Sequence, residues 1–561
     1  MTEKRHRVAV SVIDHGSLHD EEFSGTRPDP DKVIEVAVVL RSRCPDKDRL
    51  AAIHRISTEL PQERENLSVS GFEEKYGMVP GDFELIREFA GANKLEFVRG
   101  NVARCDVVLR GTLAHFSYAF GVHFLTYQHA DYGEYRSYDG PVYVPEQLSD
   151  VVLGVLGFDA RPLPHLPSCA TGLTGVRSSP QDVARFYHFP EGATGRGQNI
   201  GIVELGGGFH RADVEAFLAK HGLKSSHVTV IEMDGAKNRP ASMGALQEAF
   251  QKQGLSAAKN PRLRLGHWLR GHLDPVKDSE RNIAWTTEAT MDVELIAGFA
   301  NEAHLLVYFA PNMALGKYNA FQDAIFDPKT DISVISCSWG TQEDNLPASY
   351  LQLMDRIYQF AVLRGITICH SSGDDGPSIG EDGKPHVHFP ASSPYVLACG
   401  GTHVYPEKSE EKHWREMVGE HVFESGHGVS SHFAEPHWQA GHRSDERTSV
   451  PVQGRRVPDV VGKADLATGY DCVVGQISVP GGGTSASAPM WASLIALVNE
   501  QLGVRAGYIT PLLYHPQFKH ATRKIGAENE AGGATPGWHP RHGLGSPDGT
   551  SLLAALRARP D

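Results

Sequence analysis

Four short stretches carry side chains whose types and spacing could cleave a carbonyl bond. The first is Gly482-Gly483-Thr484-Ser485-Ala486-Ser487-Ala488-Pro489, which runs into an apolar helix-forming run. It puts a serine where a helix begins, beside unpaired N–H groups and the positive end of the helix dipole. That suits a nucleophile attacking a carbonyl, and equally a serine that caps a helix. The second is 286–299, where Glu288, Asp292, Leu295 and Phe299 fall at i, i+4, i+7 and i+11 and so share one helix face. Two carboxylates in an apolar stripe imply burial and a shared proton; on an open face they are a solvated pair. The third is Ser371-Ser372-Gly373-Asp374-Asp375-Gly376 after an apolar strand, either a carboxyl in a crevice or an Asp-Gly turn. The fourth is Ser336-Cys337-Ser338-Trp339-Gly340, also at a strand end.

The elements that must position these residues alternate strand and helix. Strands are expected at 199–205, 305–309, 332–337 and 366–371, with helices at 212–221, 319–325 and 349–364. This pattern predicts an α/β domain with a mostly parallel sheet, whose sites gather at the carboxyl ends of the strands. Gly206-Gly207-Gly208 follows the first strand, but Arg211 stands where the third glycine of a nucleotide-binding G-x-G-x-x-G would be, so that reading fails. Residues 241–282 break the rhythm with Lys259, Arg262, Arg264 and Arg270 and read as a surface insertion.

Ahead of this domain, strands at 33–40, 95–98, 105–109 and 122–127 alternate with helices at 46–60, 72–93 (interrupted by Gly77 and Pro80) and 113–120. The order predicts a ferredoxin-like α+β domain over 1–160, without a cluster of catalytic residue types. Residues 161–179, rich in Pro, Gly, Ser and Thr, read as an exposed linker with a processing site, leaving 180–561 as the second domain.

With 561 residues the chain exceeds one ordinary domain, and a formal charge of −14 argues against a nucleic-acid partner. Most of the 29 histidines charge below about pH 5, so the net charge changes sign in acid. No run approaches the roughly 18 apolar residues that span a bilayer, so no membrane partner is expected. Residues 1–22 lack the apolar core of a secretory signal. Seven scattered cysteines (Cys44, Cys105, Cys169, Cys337, Cys369, Cys399, Cys472) form no CxxC pair and are expected mostly free and buried.

Gly-Thr-Ser-x-x-x-Pro is also the serine signature of subtilisin-type Ser-His-Asp enzymes. Those need a His-Gly-Thr-His helix start, whereas here His15 lies in the first domain and Gly401-Thr402-His403 has the wrong order. Glu288 occupies the place of the base instead. The chain resembles the sedolisins, the serine-carboxyl peptidases, and among them the kumamolisin-like members. The similarity runs through Phe158-Asp159-Ala160-Arg161-Pro162, Val203-Glu204-Leu205-Gly206-Gly207-Gly208, Ser338-Trp339-Gly340, Phe389-Pro390-Ala391-Ser392-Ser393-Pro394 and Val457-Pro458-Asp459-Val460.

The resemblance implies a subtilisin-like catalytic domain preceded by an activation pro-domain. It implies that Ser485 is the nucleophile, Glu288 the general base, Asp292 its carboxyl partner and Asp374 the oxyanion donor, with Glu204 and Trp339 in a supporting network. It further implies an acid-active endopeptidase acting on proteins and peptides, made as a self-processing zymogen inhibited by its own pro-domain, a monomer, and extracellular by family habit. A catalytically silent binding or chaperone-like relative is the alternative. Sedolisins hold calcium through an Asp-Ile pair, glycine carbonyls and an Asp after Gly-Trp. Here those places read His520-Ala521, Thr535 and Gly537-Trp538-His539, which supply imidazole where calcium wants charged oxygen. No cofactor is therefore expected; calcium on Glu528 or Glu530, or a transition metal on the two histidines, are the other readings, and a pair of facing histidines is ordinarily structural.

Overall fold

In the computed structural model, the described residues are 7–9, 22–23, 26–129, 133–163, 177–259, 278–379, 385–418, 421–442, 453–526 and 537–558. The first part is built on a four-stranded antiparallel sheet in the order Glu96–Asn101, Asp106–Thr112, Val33–Leu40, Val152–Leu156. The central strand Val33–Leu40 is β-branched and almost wholly buried, which is what places it in the middle. Numbered along the chain, the order is 2-3-1-4, the ferredoxin-like arrangement. The expected fourth strand at 122–127 is corrected. His123–His129 pairs with Gly133–Asp139 in a separate sheet, and Val152–Leu156 takes the edge beside Val33–Leu40. An extra hairpin has been inserted where periodicity alone suggested closure. The helical stretch at 72–93 divides at Gly77 and Pro80 as expected, into Val69–Tyr76 and Pro80–Ala92, with the proline in the first turn of the second helix.

This part packs against two helices of the second, Ala314–Phe326 and Ala348–Leu363, and one apolar cluster runs through both. Arg49 donates to Gln359 at 2.9 Å, Arg356 to the Leu40 carbonyl at 2.8 Å, and the buried Arg104 meets Asp106 at 3.2 Å and Asn319 at 3.2 Å, with Asp323 beside it.

The second part holds an eight-stranded sheet. Its parallel run is His227–Glu232, His304–Phe309, Asn199–Glu204, Val334–Cys337, Thr367–Ser371 and Leu397–Tyr405; Val460–Lys463 pairs parallel with the last of these and Glu410–His413 antiparallel. Chain order reverses at Asn199–Glu204, the topological switch point, so the crevice opens at the carboxyl end where Glu204 sits. Helices Asp278–Phe299 and Thr484–Leu502 pack against each other beside the sheet. The surface-insertion reading of 241–282 needs correction: Met243–Lys259 is a helix that buries Leu246 and Phe250 in the core of the second part. Residues 260–277, with Arg262, Arg264 and Arg270, lie outside the described residues, as do most of the linker, His15 and Cys169. Five of the six described cysteines are buried and Cys44 is half-buried; all six are free.

Candidate active site

Gly483 caps the Ser485 helix with φ of 83°, a left-handed conformation that glycine adopts freely, while its N–H donates to the Ala464 carbonyl at 2.7 Å. Ser485 therefore stands in the first turn, where N–H groups have no intrahelical acceptor and the dipole is positive. Four residues on, Pro489 has no N–H to give the Ser485 carbonyl. The Ser338 hydroxyl approaches that carbonyl at 3.4 Å and Asp292 Oδ2 at 2.9 Å. A hydroxyl has one proton, so the shorter contact takes it and Asp292 is the acceptor. Ser338 thus holds the carboxyl beside the start of the serine helix.

Glu288 and Asp292 are fully buried on Asp278–Phe299. Their neighbours Thr286, Thr287 and Thr290 turn their hydroxyls back onto carbonyls four residues earlier, at 2.6, 2.8 and 2.6 Å, which lets a polar helix enter the core. Glu204 is also fully buried and accepts from the Trp339 indole N–H at 2.8 Å. Burial pushes Glu204 well above the usual carboxyl range; the Trp339 hydrogen bond pulls it back, and the Glu288 charge adds to the rise. Asp292 is likewise raised, by burial first and the Glu204 charge second, against the Ser338 hydrogen bond. The three carboxyls form one low-dielectric cluster whose members share charge.

Asp374 follows strand Thr367–Ser371 and is nearly buried. Its Oδ1 accepts from both the N–H and the hydroxyl of Thr484, each at 2.7 Å. A carboxyl from a different strand is thereby fixed on the residue preceding Ser485. Thr484 was read only as part of a glycine turn; it is the group that positions Asp374. Two further residues gave no signal at all. The Trp339 carbonyl is held by the buried Lys317 ammonium and faces His370 Nε2 at 3.1 Å, which fixes the strand end that carries the indole to Glu204. Nothing in an apolar strand or helix marks a lysine or histidine for that duty before the chain is folded.

The raised carboxyls give a stability prediction. A carboxyl raised by folding stabilises the fold fully below its unfolded pKa, about 4, and that contribution is lost as pH rises through its folded pKa. Calorimetry of a Ser485→Ala protein between pH 4 and 7 should show melting temperature falling toward neutrality. Adding Glu204→Gln should flatten that fall, and an unchanged slope would contradict the buried, raised carboxyl.

Residues 24–161 match the family described as Pro-kumamolisin, activation domain, and 280–510 the Subtilase family. Over 555 residues the chain is 36% identical to kumamolisin of Bacillus sp. (strain MN-32), covering 94% of this chain and 92% of that one. It is 28% identical to sedolisin of Pseudomonas sp. (strain 101), over 74% of this chain and 69% of the relative. The structure of Pseudomonas sedolisin, a serine-carboxyl proteinase, superposes with a TM-score of 0.53 at 23% identity, covering 68% of this chain and 99% of that one. The shared fold, and an identity that runs through both the activation and the catalytic regions, identify this chain as a member of the sedolisin family of serine-carboxyl peptidases.

Proposed function

We propose that the protein is an acid-active serine endopeptidase that works through Ser485, Glu288, Asp292 and Asp374 and releases itself from its pro-domain. The observation that carries this reading is the pair of tethers at the serine helix: Asp292 to Ser338 beside the Ser485 carbonyl, and Asp374 to Thr484. In this mechanism Ser485 Oγ attacks the scissile carbonyl and its proton passes to Glu288, which must begin ionised. The raised Asp292 and Glu204 keep their protons in acid and leave the cluster's negative charge to Glu288. Asp374, with Oδ1 occupied by Thr484, carries its proton on the other oxygen and donates it to the developing oxyanion. A deprotonated Asp374 would repel that charge, so activity falls as pH rises.

Burial raises the Asp323 carboxyl beside Arg104, and protonating it in acid would strip the buried guanidinium of part of its compensation at the pro-domain contact, a route to release. The test is to hold the purified chain at pH 4 with denatured protein and follow masses. Loss of the first 160–180 residues and fragmentation of the substrate are expected; intact masses for both would refute the reading.

The family's calcium donors do not fit here. The Gly537 carbonyl accepts from the Lys524 ammonium at 2.6 Å, and the Ala521 carbonyl from the Asp548 N–H at 2.9 Å. His520 is exposed, while the His539 ring stacks on His542 with centroids 4.5 Å apart, so the histidine pairing at this end joins 539 with 542. Thr535, Glu528 and Glu530 lie outside the described residues. An ammonium on a glycine carbonyl and imidazoles in place of carboxylates disfavour a hard dication. A chelator should leave the melting temperature at neutral pH unchanged, whereas Lys524→Met should lower it by about 2 °C; a large chelator-induced drop would overturn this.

A further inference from the structure

An open cleft of about 340 Å³ lies beside the carboxyl cluster. Leu205, Gly206 and Gly207 directly follow Glu204, Ala310 and Pro311 follow strand His304–Phe309, and Trp285 precedes Glu288 by less than one helical turn. All line the cleft, which places it at the carboxyl ends of the parallel strands, on the rim that carries Glu204, Ser338 and Asp374. Gly207, at φ of 65°, lets the backbone touch Trp285: a Cβ there would come within 2.5 Å of the Trp285 carbonyl carbon. Gly206 packs on the ring itself, where a Cβ would come within 2.4 Å of Trp285 Cε3, so the indole walls the cleft, and the Arg281 guanidinium sits 5.8 Å from its ring centroid.

The polar lining adds Asn282 and the basic residues Lys237 and Arg239. Lys237 pairs with Glu232 at 2.7 Å, and Arg239 lies close enough to help lower the Glu232 pKa. The Asp234 carboxylate accepts from the Asn319 amide at 2.6 Å. Among the described residues, the charged side chains that line the cleft are Lys237, Arg239 and Arg281. The side of the scissile bond is fixed by the linker: Pro162 bridges Met313, and the Asn312 amide donates to the Leu163 carbonyl at 3.0 Å, immediately next to Ala310 and Pro311. Residues before the linker's processing region thus run along this edge, and the cleft lies on the acyl side.

We propose that this cleft is a subsite for an acidic side chain on the acyl side of the cleaved bond, with Arg239 and Arg281 as its specificity residues. The substrate class is then peptides bearing glutamate or aspartate there, held by charge-assisted hydrogen bonds over the indole. This rests on the peptidase reading above. The test uses peptides that differ only by Glu, Gln or Lys at each of four positions before the scissile bond, with kcat/KM measured at pH 4 and 5. At one position Glu should exceed Gln by about 10-fold and Lys by more. The Glu preference should grow from pH 4 to 5, as a side chain with a free pKa of about 4.3 ionises.

Arg239→Gln with Arg281→Gln should erase the preference, and Arg239→Glu with Arg281→Glu should turn it toward Lys. Melting curves of the pro-enzymes confirm folding, and the single Arg281→Gln serves if a double variant fails to fold. Equal rates for Glu and Gln at every position in the natural protein would overturn the inference, as would a preference that survives in the variants. If the natural protein cleaves neither the peptides nor denatured protein, the peptidase reading itself has failed and this inference with it.

Discussion

A Ser485→Ala chain held at pH 4 keeps its full mass indefinitely and cleaves no added peptide, while the natural chain shortens and cleaves. The expected loss in kcat is on the order of 10⁴–10⁶-fold, because removing the nucleophile leaves only binding and oxyanion stabilisation. Glu288→Gln should fall nearly as far, since an amide cannot take the serine proton. Combining the two should cost little more than either alone, the mark of residues acting as a unit. The pro-domain contact should survive in both variants, because Arg49, Arg104 and Arg356 make it through Gln359, Asn319 and the Leu40 carbonyl, groups that neither substitution alters. If Ser485→Ala still processes itself, the nucleophile is misassigned. If the natural chain is equally inert, the silent-relative reading gains the ground.

Asp374→Asn separates acid tuning from catalysis. The asparagine carbonyl can keep both Thr484 donors, and its NH₂ donates to an oxyanion at any pH. The expected outcome is a loss of no more than about 10-fold at the optimum, with the alkaline limb of the pH–rate profile moved toward neutrality. Asp374→Ala has no donor to offer and should lose about 10²–10³-fold at every pH. A profile whose alkaline limb is unmoved in the asparagine variant would show that another group sets it, with the Glu288–Asp292–Glu204 cluster next in line.

Much of this was legible in the chain before it was folded. The helix bearing Glu288 and Asp292 was visible because i, i+4, i+7, i+11 spacing joins the two carboxyls to Leu295 and Phe299 on one face; that every residue from 286 to 300 is buried is set by the elements packed around the helix and not by that face. The strand Val33–Leu40 was marked by its own β-branched residues and lies where they predict. The fourth strand of the pro-domain was misplaced because 123–129 and 152–156 have equal claim to a sheet edge; pairing between distant segments decides that, and local composition does not. The helix Met243–Lys259 was taken for surface because basic residues nearby masked the spacing of Leu246 and Phe250.

The sequence by itself determined which residue types exist for the chemistry: a serine at a glycine turn, two carboxyls on one helix face, an aspartate at a strand end and no histidine in the base's place. These are local properties of spacing and side-chain type. Only the tertiary structure decided how they meet. Ser338 bonds Asp292 across 46 positions of chain and Thr484 bonds Asp374 across 110. Lys317 and His370 converge on one carbonyl, and burial in a shared low-dielectric cluster raises Glu204 and Asp292. Hydrogen bonds and desolvation act through space, and no periodicity along the chain records them.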